Sequence, residues 1–185
     1  MEREKEIIDK AFEFAYNCAL DDATRRVANK AVKMAMSKVK VKETVRAYID
    51  SIFNETINPD DIYKTINDVV SESNSDGVTL GKAQKLVNMT AKYVYIGLLQ
   101  TGDNSYRNRF SVCHCPMDRK MICGVIDEYE PDKTSLKKDI SWSRMSNYEV
   151  YNEFQRIVKE LSSRESISPL EYDLIHWPGF NDKYK

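Results

Sequence analysis

The chain has 185 residues, 28 Lys and Arg against 29 Asp and Glu, and a formal net charge of −1. Leu, Ile, Val and Phe supply 43 of those residues, more than the roughly 20 % below which so charged a chain stays disordered, so a core of one domain or two small ones is expected. No stretch approaches the ~20 apolar residues of a membrane span and the start, MEREKEIIDK, is too charged for a signal peptide, which predicts a soluble, cytoplasmic protein without a membrane partner.

The elements follow from apolar spacing. Ile8, Ala11, Phe12, Ala15, Cys18 and Ala19 recur at three and four residue steps and predict a helix over about residues 2–20, punctuated by Asp21 and Asp22. Thr24, a good N-cap type, then opens a second helix to about residue 40 through Val27, Ala28, Ala31, Val32, Ala35 and Val39. Val45, Ile49, Ile52 and Phe53 make a third stripe that ends before Asn58-Pro59, and Pro59 suits the start of a fourth helix carrying Ile62, Ile66, Val69 and Val70. The loop-like run SESNSDG divides an N-terminal helical part, 1–70, from a C-terminal helical domain, 78–185, although both can belong to one continuous domain.

Thr79 caps a fifth helix whose inner face holds Ala83, Leu86, Val87, Thr90, Ala91, Val94 and Leu98, and its few polar interruptions predict the central helix. TGDNSYRNR reads as a loop, FSVCHC as extended, and Pro116 as the start of a sixth helix with Met117, Met121, Ile122, Val125 and Ile126 inside. Ser146 with Glu149, and Ser168-Pro169 with Glu171, fit capping boxes; the second opens a short helix ending near His176-Trp177, before Pro178-Gly179. The predicted fold class is all-α or predominantly α, a multi-helix bundle with at most a short extended segment near 110–115.

Charge is unevenly spread: residues 24–46 sum to +7, 47–76 to −6 and 77–120 to +5. Arg25, Arg26, Lys30, Lys33, Lys82, Lys85, Lys92, Arg107 and Arg109 are therefore candidate contacts for nucleic-acid phosphates or an acidic protein. The competing expectation is that these faces pair with the acidic helices beside them. No zinc-finger, RNA-recognition or basic-zipper signature is present, so sequence-specific DNA reading is not expected.

The four cysteines, Cys18, Cys113, Cys115 and Cys123, stand in a chain without an export signal and predict reduced thiols. Cys113-His114-Cys115 has the wrong spacing for a structural zinc site, and adjacent residues of an extended segment diverge, so neither a metal nor a Cys–His dyad is expected. No phosphate-cradling glycine loop, HExxH or nucleophile elbow occurs, and no cofactor is implied. The remaining catalytic candidates are His114 and Asp118, which could meet at the start of the sixth helix with Lys82 or Lys85 in a cleft. The aromatic cluster Trp142, Tyr148, Tyr151, Tyr172 and Trp177 is either core or a partner anchor.

Three strings, GKAQKLVNMT with Lys92-Tyr93, HCPMD at 114–118, and Trp142-Ser143 followed by Tyr148 and Tyr151, together resemble a family of functionally uncharacterised proteins of bacteria, phages and mobile elements. The likeness spans residues 79–177 and implies no catalytic residues. Its genetic setting implies an anti-defence protein, such as an anti-CRISPR inhibitor of a host nuclease effector. The leading expectation is thus a non-enzymatic protein that binds a nucleic-acid-handling complex, DNA, or both. The alternatives are an enzyme acting on nucleic acid or a nucleotide, and an assembly protein that forms homo-oligomers.

Overall fold

A helix is buried on every side only when neighbours cover its whole circumference. Residues 80–92 meet that condition without exception, and the rest of the chain is arranged around them. The computed structural model describes residues 2–25, 30–100, 105–129 and 134–184. Among them are nine α-helices and no strand: α1 Glu2–Thr24, α2 Lys30–Met36, α3 Val39–Phe53, α4 Asp61–Ser73, α5 Leu80–Leu99, α6 Ser105–Phe110, α7 Arg119–Tyr129, α8 Tyr148–Arg164 and α9 Pro169–Lys183. A 3₁₀ turn, Trp142–Arg144, precedes α8. The fold is all-α, and among the described residues no helix is long and apolar enough to cross a membrane.

α1 packs chiefly along α5. Ala15, Ala19 and Ala23 lie in its buried stripe, and small side chains at four-residue steps let two helix backbones approach closely. The pair is fastened by the Tyr93 hydroxyl, which donates to Asp22 at 2.5 Å. α3 and α4 pack on each other and on α5, while α7, α8 and α9 form a group of their own. One cluster of buried side chains runs from Phe12 to Phe180, so the parts before and after the SESNSDG run share a core.

Several boundaries differ from the sequence expectation. Asp21 and Asp22 do not end α1, because its buried stripe continues through Leu20 and Ala23, Asp21 faces solvent and Asp22 is satisfied by the Tyr93 hydroxyl. Thr24 consequently opens nothing: its hydroxyl donates back to Leu20 O at 2.7 Å within the last turn. Val27 and Ala28 lie outside the described residues. The expected loop before FSVCHC contains α6, held by Phe110, which is buried against Phe53 and Tyr95.

α8 starts after Asn147, without a side-chain cap, so the Ser146 capping box does not form. Buried Met145 is extended there, and its carbonyl takes the Gly81 N–H at 3.2 Å. The Ser168 box forms in both halves. α9 nonetheless continues through Pro178 to Lys183. Contacts beyond the proline outweigh the lost backbone bond: the Phe180 ring sits where a side chain on Gly124 would have to be, and the Tyr184 hydroxyl and Lys183 both reach Asp127.

Candidate functional site

The three strings that carry the resemblance meet in space. Residues 113–118 have no regular structure, so their backbone groups need partners from elsewhere. Two glutamines supply them. Gln155 of α8 accepts from Cys115 N at 3.1 Å and donates to Cys115 O at 2.7 Å. Gln84 of α5 accepts from Met117 N at 3.2 Å and donates to Met117 O at 2.9 Å. Each amide thus imitates a strand neighbour and delivers Asp118 to the start of α7.

Asp118 caps that helix: its Oδ1 accepts from Lys120 N at 2.9 Å and Met121 N at 3.0 Å. Its Oδ2 takes the Lys85 ammonium at 2.7 Å and the Trp177 indole N–H at 3.2 Å. Two turns along α5, Lys92 pairs with Asp173 of α9, whose side chain is only 2 % exposed. Trp142 closes the other side. Its turn is pressed on the start of α5, where a Cβ on Gly81 would lie 1.6 Å from Trp142 O, and the Thr79 hydroxyl donates to Ser143 O at 2.9 Å.

These groups line a cleft of about 940 Å³. Lys85 Nζ lies 5.0 Å from the centroid of Trp142, and Lys92 Nζ 5.8 Å from that of Trp177, within cation–π range. The floor is therefore two buried Lys–Asp pairs, and the walls are the only two tryptophans of the chain. Arg25, Arg119, Lys120 and Lys138 stand in the lining with Asp22 and Asp139; Arg25 pairs with Asp22 at 3.1 Å and Lys138 with Asp127, which leaves Arg119 and Lys120 against Asp139 as the cationic excess of the rim.

Burial pushes both carboxyls up, and their surroundings then separate them. For Asp118, Lys85, the Met121 N–H and the Trp177 indole outweigh burial and hold the carboxyl below its ordinary range. For Asp173, burial, reinforced by the charge of Asp118, outweighs the nearby lysines and holds it above. One cleft thus contains an acid that keeps its charge and another that resists charging.

His114 does not join Asp118. Its Nδ1 meets the Tyr151 hydroxyl at 2.9 Å, its ring packs edge-on against Tyr63 at 5.7 Å, and it lines a different cleft. Lys82 is also elsewhere, donating to Gly77 O at 2.6 Å. Of the expected catalytic grouping, only Asp118 and Lys85 come together.

Of the basic candidates, Arg25, Lys85 and Lys92 share the cleft. Lys33 pairs with Asp21, Arg107 with Glu171 and Arg109 with Glu55, each on its own part of the surface. Lys30 is exposed on α2, and Arg26 lies outside the described residues. Other cations of the 24–46 run are also partnered: Lys40 by Glu72, and Arg46 by Asp9 and Asp50. The basic run is largely neutralised by neighbouring acids rather than presented as one cationic face.

The cysteines are free thiols; burial pushes Cys113 up to about 12 and Cys115 well above the ordinary thiol range, so neither supplies a thiolate near neutral pH. Among the described residues no group of three or more His, Cys, Asp or Glu could hold a metal ion.

Sequence reasoning missed Asp173, Gln84, Gln155 and the pairing of the two tryptophans. A signal was present: Lys85, Asn88 and Lys92 recur at three and four residues on a helix otherwise read as core. Polar residues on a buried stripe require partners, and that requirement points to a polar site. No protein-family model, no curated protein and no solved structure matches this chain.

Proposed function

We propose that the chain is a binding protein that captures a ring-bearing, phosphate-bearing ligand in the tryptophan-walled cleft: a nucleic-acid strand held by a nucleic-acid-handling complex such as a nuclease effector. The observation that carries this reading is the juxtaposition of two tryptophans and two buried Lys–Asp pairs beneath a cationic rim. Aromatic faces stack bases without demanding sequence, a Lys–Asp pair offers a donor beside an acceptor to a base edge, and rim cations suit phosphate. The resemblance to proteins of phages and mobile elements supports an inhibitor that blocks such a complex, with contact through the cleft rather than the neutralised helices 24–46.

The test is a tagged pull-down from host lysate, with and without nuclease treatment, beside a Trp142→Ala, Arg119→Glu variant. The reading expects one nucleic-acid-handling complex that the variant fails to recover. Equal recovery by the variant moves the binding surface away from the cleft.

A second reading is favoured by the separated carboxyls. Two carboxyls in one cleft, Asp118 held below its ordinary range and Asp173 above it, are displaced in the directions of a base and an acid, which supports an enzyme acting on nucleic acid or a nucleotide through Asp118, Lys85 and Asp173. Turnover of labelled DNA or RNA, with and without divalent metal, that disappears in Asp173→Asn while folding is retained would move this reading to the front.

A further inference from the structure

A buried chain of side-chain hydrogen bonds runs from the HCPMD segment to His114, and its direction is set by the backbone. Gln84 faces both the N–H and the C=O of Met117, so its amide has only one orientation that avoids opposing like groups. Its Oε1 also accepts from Asn88 Nδ2 at 3.1 Å, which makes that Asn88 atom the nitrogen. The same Nδ2 donates to the Tyr151 hydroxyl at 3.1 Å. Tyr151 is thereby the acceptor on that side, and its own proton goes to His114 Nδ1, 2.9 Å away. A neutral imidazole accepting at Nδ1 carries its hydrogen on Nε2. Burial, with the charge of Lys159, lowers the His114 pKa to about 4 and keeps the ring neutral.

His114 lines a second cleft, of about 850 Å³, with Lys159 and Arg107. The one acid of that lining, Glu171, is held by Arg107 at 2.5 Å, by the Tyr95 hydroxyl at 2.7 Å and by Ser168 N at 3.0 Å. Among the described residues Lys159 has no ion pair and His114 Nε2 no partner. The cleft therefore presents donors and uncompensated positive charge, and its histidine, with no lone pair directed outward, is not poised to ligate a metal.

We propose that this second cleft binds a phosphate monoester group, with His114 Nε2–H and Lys159 as donors and Tyr151 as the residue that positions the imidazole. A cation and a fixed N–H from two different elements suit the spread oxygens of a phosphate. The proposal is independent of the tryptophan cleft.

The test uses the full chain, labelled with ¹⁵N at histidine, with inorganic phosphate as the probe and acetate as the second arm. His176, the only other histidine, is the internal reference, bonded to Glu165. The expected result is the Nε2–H tautomer of His114 and a saturable shift of its ring with phosphate. Lys159→Gln, an exposed change, should weaken that binding about tenfold, the loss of one charge-assisted contact. Tyr151→Phe should mix the tautomers, a readout that loss of packing alone does not produce. An Nδ1–H tautomer in the unaltered chain, the absence of saturation by phosphate, or equal binding of acetate overturns the proposal.

Discussion

The lysines of α2 and those of α5 belong to one residue type and stand in opposite environments. Lys33 and Asp21 form a pair with side chains 54 % and 61 % exposed, whereas Lys92 and Asp173 are 11 % and 2 % exposed. In water the attraction is screened and side-chain entropy opposes it, so such pairs contribute little. Inside the protein each charge depends on the other, because an unpaired buried charge costs several kcal/mol. A basic run in the sequence therefore says less about function than a lysine placed where it has to be paired.

The largest effect expected of this contrast comes from Asp173→Ala. It strands Lys92 beneath Trp177 and should cost about 3–5 kcal/mol, read as a lower urea midpoint at unchanged slope. A stability within 1 kcal/mol of the parent would mean that water reaches the pair and that the floor of the cleft is not the buried site described above.

The next effect is one of pH. His114 is held neutral, with a folded-state pKa of about 4 against 6.5 for the free side chain. Below pH 6.5 the unfolded chain takes up a proton that the folded chain refuses, so stability falls as pH drops from 6.5 to about 4, by at most about 3 kcal/mol. His114→Gln should flatten that part of the curve. Glu171 works lower on the scale: the Ser168 N–H, Tyr95 and Arg107 outweigh burial and hold it at about 2. Its contribution is present above 4.5 and fades as pH falls toward 2. The two windows are separable in one series of denaturation curves.

Gln84→Leu should follow, at about 1–3 kcal/mol, since it leaves the Met117 N–H and C=O buried without partners. Its diagnostic readout is local, a faster amide exchange at Met117 than at Cys115, which Gln155 still holds. The smallest effect belongs to Lys33→Ala, below about 0.5 kcal/mol and erased by molar salt. Should Lys33→Ala and Asp173→Ala prove equally mild, the distinction between surface and buried pairs would lose its force.

Local devices were readable in the sequence and tertiary ones were not. The Thr79 cap, the long apolar α5 and the Ser168 box are written within a few residues of where they act, and they stand where the pattern puts them. Asp21-Asp22, Ser146 and Pro178 carry equally clear local signals that the fold overrides, because the burial of Ala23, the tie from Met145 to Gly81, and the contacts of Phe180 and Tyr184 are set by distant residues. The site follows the same division. Lys85 and Asp118 were nominated, and the structure joins them. Asp173 was invisible because nothing near it in sequence marks a charge aimed inward at Lys92, 81 positions earlier. The sequence pattern puts His114 beside Asp118, yet the segment between them is not helical and His114 lines a different cleft, against Tyr151 and Tyr63.

The most direct test of the cleft uses the fluorescence of Trp142 and Trp177, the only tryptophans in the chain, both in its walls. Titration of the intact protein with a short single-stranded oligonucleotide at low salt should quench this emission saturably, and Arg119→Glu should weaken the binding. Emission unmoved by oligonucleotide, while a pull-down still recovers a protein partner, would contradict the account by placing the binding surface outside the tryptophan cleft.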